Sequence, residues 1–204
     1  FKGCSSLNKL IFNPTINSIK SHTFEDCKSL TEIVIPLTVM KIEYGSFENC
    51  SSLTKITIPP YVKYIESKAF SKCSSITNIT IPSSITKISC DAFCDCSSLK
   101  QITIPSSIKS ILKGTFKGCT SLNQITIPSS VSFIGKNAFN GVISLVIKGN
   151  LPCISNGSFK NYQTLTQIII PESVTSIEKR AFCECSSLKE IIIPSNVQSI
   201  GIHC

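Results

Sequence analysis

Apolar positions return along this chain with a period of 23 residues, marked by Phe1, Phe24, Phe47, Phe70, Phe93, Phe116 and Phe139 and, after one 20-residue step, Phe159 and Phe182. Around each Phe one frame recurs, clearest in Ala92-Phe93, Cys96-Ser97-Ser98-Leu99, Ile102, Ile104-Pro105, Ile108 and Ile111. A fixed period of this length marks a solenoid, in which each unit packs only against its neighbours. Within a unit, Leu99, Ile102 and Ile104 end on a pair at period 2, the alternation of a short half-buried strand. Pro cannot donate to a ladder, so the column from Pro36 to Pro194 predicts the strand end and a turn. The next apolar pair, such as Val131 and Ile134, predicts a return leg, and the Ala-Phe segment a tight turn or short helical piece with the Phe inside.

Stacked at the usual strand spacing of about 4.8 Å, the units predict one parallel sheet of roughly eight or nine strands. The Ile pairs from Ile33 and Ile35 to Ile191 and Ile193 point inward. Between them lies an outward column of Ile11, Val34, Thr57, Thr80, Thr103, Thr126, Ile169 and Ile192. Two residues earlier runs a second one, of Lys9, Glu32, Lys55, Asn78, Gln101, Gln124, Gln167 and Glu190. In solenoids a sheet face is a usual docking surface, which makes Lys55, Thr57, Asn78, Thr80, Gln101, Thr103, Gln124, Thr126, Gln167, Ile169, Glu190 and Ile192 the candidate protein-binding residues. Threonine also suits an exposed strand by propensity alone, and Gln and Asn avoid charge repulsion between strands. Ile169 and Ile192 form an outward apolar patch, and Tyr44, Tyr61 and Tyr64 a second candidate contact group.

With its unit of the form Leu-x-x-Ile-x-Ile-Pro-x-x-Val-x-x-Ile-x-x-x-Ala-Phe-x-x-Cys, the chain resembles the BspA-like leucine-rich repeats over nearly its whole length. The resemblance implies an α/β-type repeat solenoid: a leucine-rich-repeat horseshoe with a parallel sheet on the concave face and short strands, turns or short helical pieces on the convex side. It covers residues 1–204 as a single array of about nine units. The pattern departs at residues 139–158, where Val142 replaces the Cys and the Ile-Pro-Ser-Ser stretch is missing, leaving the sheet register open there. Members of the family are typically surface proteins of oral and gut bacteria and of parasitic protists such as trichomonads. The resemblance thus implies a cell-surface or secreted adhesin-like protein whose ligand is a host-cell or extracellular-matrix protein. An intracellular interaction scaffold and the non-catalytic binding domain of a larger enzyme are the alternatives on the same frame.

Composition narrows the chemistry. A net charge of +8 arises from 20 basic and 12 acidic residues, but the lysines are spread over all units, so no nucleic-acid stripe is expected. No apolar run approaches the roughly 20 residues that span a bilayer, so no membrane insertion is expected within the chain. Seven of the 12 Cys (Cys4, Cys27, Cys50, Cys73, Cys96, Cys119 and Cys185) share one position three after the Phe, which predicts an interior column of free thiols. Cys90 and Cys94 leave open a local disulfide, which would favour an oxidising setting. Neither paired Cys spacing nor clustered His supports a metal site, and no cofactor is expected. There is no phosphate loop, nucleophile elbow or Cys-His pairing, so no enzyme is expected. Asn49, Asn78 and Asn156 stand in glycosylation sequons, the first too crowded for a glycan beside Cys50. Phe1 opens the chain inside a unit and Cys204 ends it one residue before the next Phe is due, which predicts a segment of a longer protein.

Overall fold

The structure, a computed structural model, describes residues 1–204 and is a parallel-strand β-solenoid of stacked coils. One leg of each coil carries the longer strands: Glu32–Val34, Lys55–Thr57, Asn78–Thr80, Gln101–Thr103, Gln124–Ile127, Ser144–Ile147 and Gln167–Ile169. Nine two-residue strands, from Ser18–Ile19 to Ser199–Ile200, form the return leg. All pairings are parallel and in unit register, for example Ile79 with Ile102 and Ile19 with Ile42. The long-strand leg is hydrogen-bonded as three ladders of two, two and three strands, not as one unbroken sheet. Residues 190–193 form no strand; Ile191 is half-buried and Ile193 exposed.

There is no helix, so the α/β class and the short helical pieces are corrected to an all-β solenoid. The physical reason stands on both sides of each Phe. Two residues before it, His22, Gly45, Lys68, Asp91, Gly114 and Asn137 have positive φ; two residues after it, Asp26, Asn49, Lys72, Asp95, Gly118 and Gly141 do too. A left-handed residue every fourth position rules out a right-handed helix. The backbone polar groups are satisfied by alternation instead. Asp91, Phe93 and Asp95 donate to Lys113, Thr115 and Lys117 of the next unit at 2.9, 2.9 and 2.6 Å, while Cys94 and Cys96 donate back to Asp91 and Phe93.

The core is a set of columns. Phe rings from Phe1 to Phe139 stack in an unbroken file with centroids 5.4 to 5.6 Å apart. That is the favoured range for offset aromatic pairs. Beside it, Cys50, Cys73, Cys96 and Cys119 are buried free thiols, each donating to the Phe carbonyl of the preceding unit at 3.0 to 3.2 Å. Cys4, at the start of the column, is exposed instead.

The irregular unit keeps its strand. Ser144–Ile147 pairs with Gln124–Ile127 on one side and Gln167–Ile169 on the other, in register. The shortening falls elsewhere: Cys119 stands five residues before Gln124, but Val142 only two before Ser144. What is lost is the buried Leu that Leu122 supplies in the preceding unit. Tyr162, three after Phe159 and so in the Cys position, is fully buried there. Its ring meets Phe159 edge-on at 5.3 Å, and its hydroxyl accepts the Phe139 N–H at 2.9 Å. Other Phe N–H groups, such as that of Phe116, use a carbonyl of the next unit. Tyr162→Phe is therefore expected to strand a buried N–H and cost about 1–3 kcal/mol in urea unfolding, while Tyr64→Phe, at an exposed ring, changes little.

Candidate functional site

The long-strand leg alternates, so strands such as Lys55–Thr57 and Asn78–Thr80 bury their central Ile and turn the two flanking side chains outward, while Ile102 is half-buried and Ser144–Ile147 buries Leu145 and Ile147. Lys55, Thr57, Asn78, Thr80, Gln101, Thr103, Gln124, Thr126, Gln167, Ile169, Glu190 and Ile192 are all exposed. Register sets them in rows: Asn78 beside Gln101, Thr80 beside Thr103, and Thr57 beside Val34. Glu190 and Ile192 continue the rows without strand hydrogen bonds.

Two members of this face escape a reading by repeat spacing. Ser144 lies between Gln124 and Gln167, and Val146 between Thr126 and Ile169. The signal was present in Leu145 and Ile147, which repeat the period-2 pair of Ile125 and Ile127. Val146 is half-exposed and extends the apolar row to Val146, Ile169 and Ile192, the last two 50% and 73% exposed. A shallow depression lined by Gln167, Ile169, Glu190 and Ile192 lies over that row. Farther back the face is polar, with a depression lined by Gln101, Ser121 and Gln124. Threonines in the turns, such as Thr54 and Thr86, spend their hydroxyls on carbonyls of the preceding unit. The hydroxyls of Thr57, Thr80, Thr103 and Thr126 point to solvent on exposed strand positions.

A sequence profile described as the BspA type leucine rich repeat region matches residues 1–120 and 86–204. The chain belongs to the BspA-type leucine-rich-repeat family. Its fold is similar to a crystal structure of a Treponema pallidum leucine-rich-repeat protein, TpLRR, with a TM-score of 0.70, 27% identity and 78% of each chain covered. A leucine-rich-repeat protein from Eubacterium ventriosum aligns with a TM-score of 0.52 at 17% identity, over 94% of this chain and 80% of that one. The pneumococcal vaccine antigen PcpA aligns at 0.50 and 18%, over 84% of this chain and 51% of that one. None of the curated protein sequences matches the chain. A BspA-type solenoid is consistent with a protein-binding role, and no helix is long and apolar enough to cross a membrane.

The remaining candidates of this BspA-type array separate. Tyr44, Tyr61 and Tyr64 are exposed, but Tyr44 is engaged edge-on with His22 at 5.0 Å. Cys90 and Cys94 are separate, partly buried thiols. Asn49 has φ 61° and donates its amide to Asp26 at 2.6 Å, whereas Asn78 and Asn156 are exposed.

Proposed function

We propose that this chain is a non-catalytic protein-binding solenoid of a cell-surface or secreted adhesin-like protein, contacting host-cell or extracellular-matrix proteins through the long-strand face. The observation that carries this reading is the face itself: seven strands in register offer open rows of Thr, Asn and Gln that run into the Val146, Ile169 and Ile192 patch. Apolar side chains exposed in a row are stabilised by being covered, and hydroxyls not used within the fold are free to bond a partner. Similarity to a protein described as a vaccine antigen supports placement outside the cell.

A second reading, an intracellular interaction scaffold, is favoured by the twelve free thiols, since oxidising compartments promote disulfides. Surface labelling of intact source cells, with glycan mass at Asn78 or Asn156, supports the first reading. Unlabelled protein with twelve free thiols and no glycan supports the second.

Thr80→Lys, Thr103→Lys and Thr126→Lys together test the face. Outward substitutions of this kind change stability by only about 0.5 kcal/mol each. The folded triple variant is expected to lose binding to immobilised extracellular-matrix proteins and host-cell surfaces. Full binding by the folded variant removes the face from the assignment.

A further inference from the structure

The return leg carries a second surface with a different chemistry. Where its units meet early in the chain, lysines are matched by glutamates of the neighbouring unit: Lys2 with Glu25 at 2.8 Å, Lys20 with Glu43 at 3.1 Å and Lys41 with Glu66 at 2.7 Å. From Cys96 to Pro171 that matching stops, because this stretch holds seven lysines and no Asp or Glu. Lys113 and Lys136 occupy one column in adjacent units, held side by side by the Gly114 N–H donating to the Lys136 carbonyl at 3.1 Å. Lys109 stands on the same return leg, beside Ser132 and before the strand Ser110–Ile111 that leads to Lys113. Lys63 and Lys87 extend the group toward the N-terminus, and all five are exposed and outside every ion pair of the chain. Asp91 borders the stripe through its N–H to the Lys113 carbonyl at 2.9 Å and forms no ion pair with it.

Like charges held side by side, as Lys113 and Lys136 are in adjacent turns, repel each other and destabilise the fold. Here the cost is borne where the same solenoid elsewhere removes it with a glutamate. We infer that the lysine stripe along the return leg, centred on Lys109, Lys113 and Lys136, is a docking surface for a sulfated polysaccharide.

Charge complementarity identifies a polyanion, and three features favour a glycan. All five cations are lysines, mobile point charges without the fixed fork that arginine offers a carboxylate or phosphate, so they tolerate irregular sulfate positions. The lysines lie on successive stacked coils, about 4.8 Å apart, which suits a linear chain of charges laid along the leg. Tyr64 and Phe133, 46% and 44% exposed, lie in the same strand column as Lys87 and Ser110 and offer ring faces to sugar rings. Two isolated rings are not the run of stacking platforms that single-stranded nucleic acids use. The stripe is separate from the long-strand face, so the two assignments stand or fall independently.

The test is the salt dependence of binding to heparin, with fully desulfated heparin, single-stranded DNA and polyglutamate as comparison ligands. Heparin is expected to bind at physiological ionic strength and desulfated heparin much more weakly. Lys109→Gln, Lys113→Gln and Lys136→Gln together should lower the slope of log K against log salt by about 2 to 3, since each lost contact to a polyanion removes roughly 0.7–0.9. Lys9→Gln, Lys28→Gln and Lys189→Gln, with the same change in net charge at other exposed positions, should leave the slope within error. The inference is overturned if heparin fails to bind at physiological salt or if the two triple variants weaken it equally. It is overturned as well if DNA, polyglutamate or desulfated heparin binds as tightly as heparin.

Discussion

Replacing Phe93 with alanine is expected to destabilise the fold by about 3 to 5 kcal/mol, the usual cost of truncating a buried Phe. Phe93 is 1% exposed and sits mid-file, stacked on Phe70 at 5.5 Å and on Phe116 at 5.6 Å. Its removal opens a cavity that no neighbour can fill, because adjacent units are held in register by strand pairs and turn hydrogen bonds. In a solenoid each unit is stabilised only through its neighbours, so a void in a central unit also uncouples the two flanks. Urea unfolding should therefore show a lower midpoint and lose its single-step form. Phe1→Ala is the internal control, because that ring is 63% exposed and stacks on one side only. A Phe93→Ala loss no greater than the roughly 0.5 kcal/mol of a surface substitution would mean that the ring file is not the core.

Alkaline pH should unfold this chain far more readily than moderate acid does. Burial, followed by the neighbouring Cys27, pushes the Cys50 thiol from 9.0 up to about 12. Burial likewise raises the Cys119 thiol from 9.0 to about 12. In the unfolded chain these thiols ionise from about pH 9, while the folded chain holds their protons until about pH 12. The folded state thus binds more protons across that window. Stability is fully present below pH 9 and is lost as pH rises toward 12, at about 1.4 kcal/mol per pH unit for each thiol. Together the two withdraw several kcal/mol, comparable to the whole stability of an ordinary domain. Urea midpoints measured from pH 8 upward test this, with Cys50→Ala and Cys119→Ala together expected to flatten the decline. Should the double variant fall as steeply as the parent, Cys50 and Cys119 do not carry the decline, and Cys73 and Cys96, whose thiols burial also raises, are the next pair to replace. The same raised thiols should resist alkylation at neutral pH in the folded chain, while exposed Cys4 and Cys204 react.

The period of Phe1 to Phe182, the Ile pairs and the Pro column were enough to establish a solenoid, its inward and outward columns and the family. This follows because stacked units repeat one environment, so each interior position selects the same residue type many times over. Three things needed the tertiary structure. The sequence left a tight turn or a short helical piece open around each Phe, and paired left-handed residues such as Asp91 and Asp95 build stacked turns; φ at a non-glycine residue is set by bonds to the next unit, which lie 22 residues away. The shortened unit left its sheet register open; the structure keeps that register, drops a buried Leu, and takes the Phe139 N–H with the Tyr162 hydroxyl of the following coil, a contact between residues 23 apart that no local pattern reports. Lysines that look dispersed along the chain converge on one leg, because coiling sets Lys113 beside Lys136, with Lys109 beside Ser132 at the other end of the same return strand. The sequence by itself determined which residues are inside and that the coils stack, since burial repeats with the period. Only the tertiary structure decided how each turn closes, how the irregular unit is filled and which charges share a surface, since these depend on contacts between coils that sequence distance conceals.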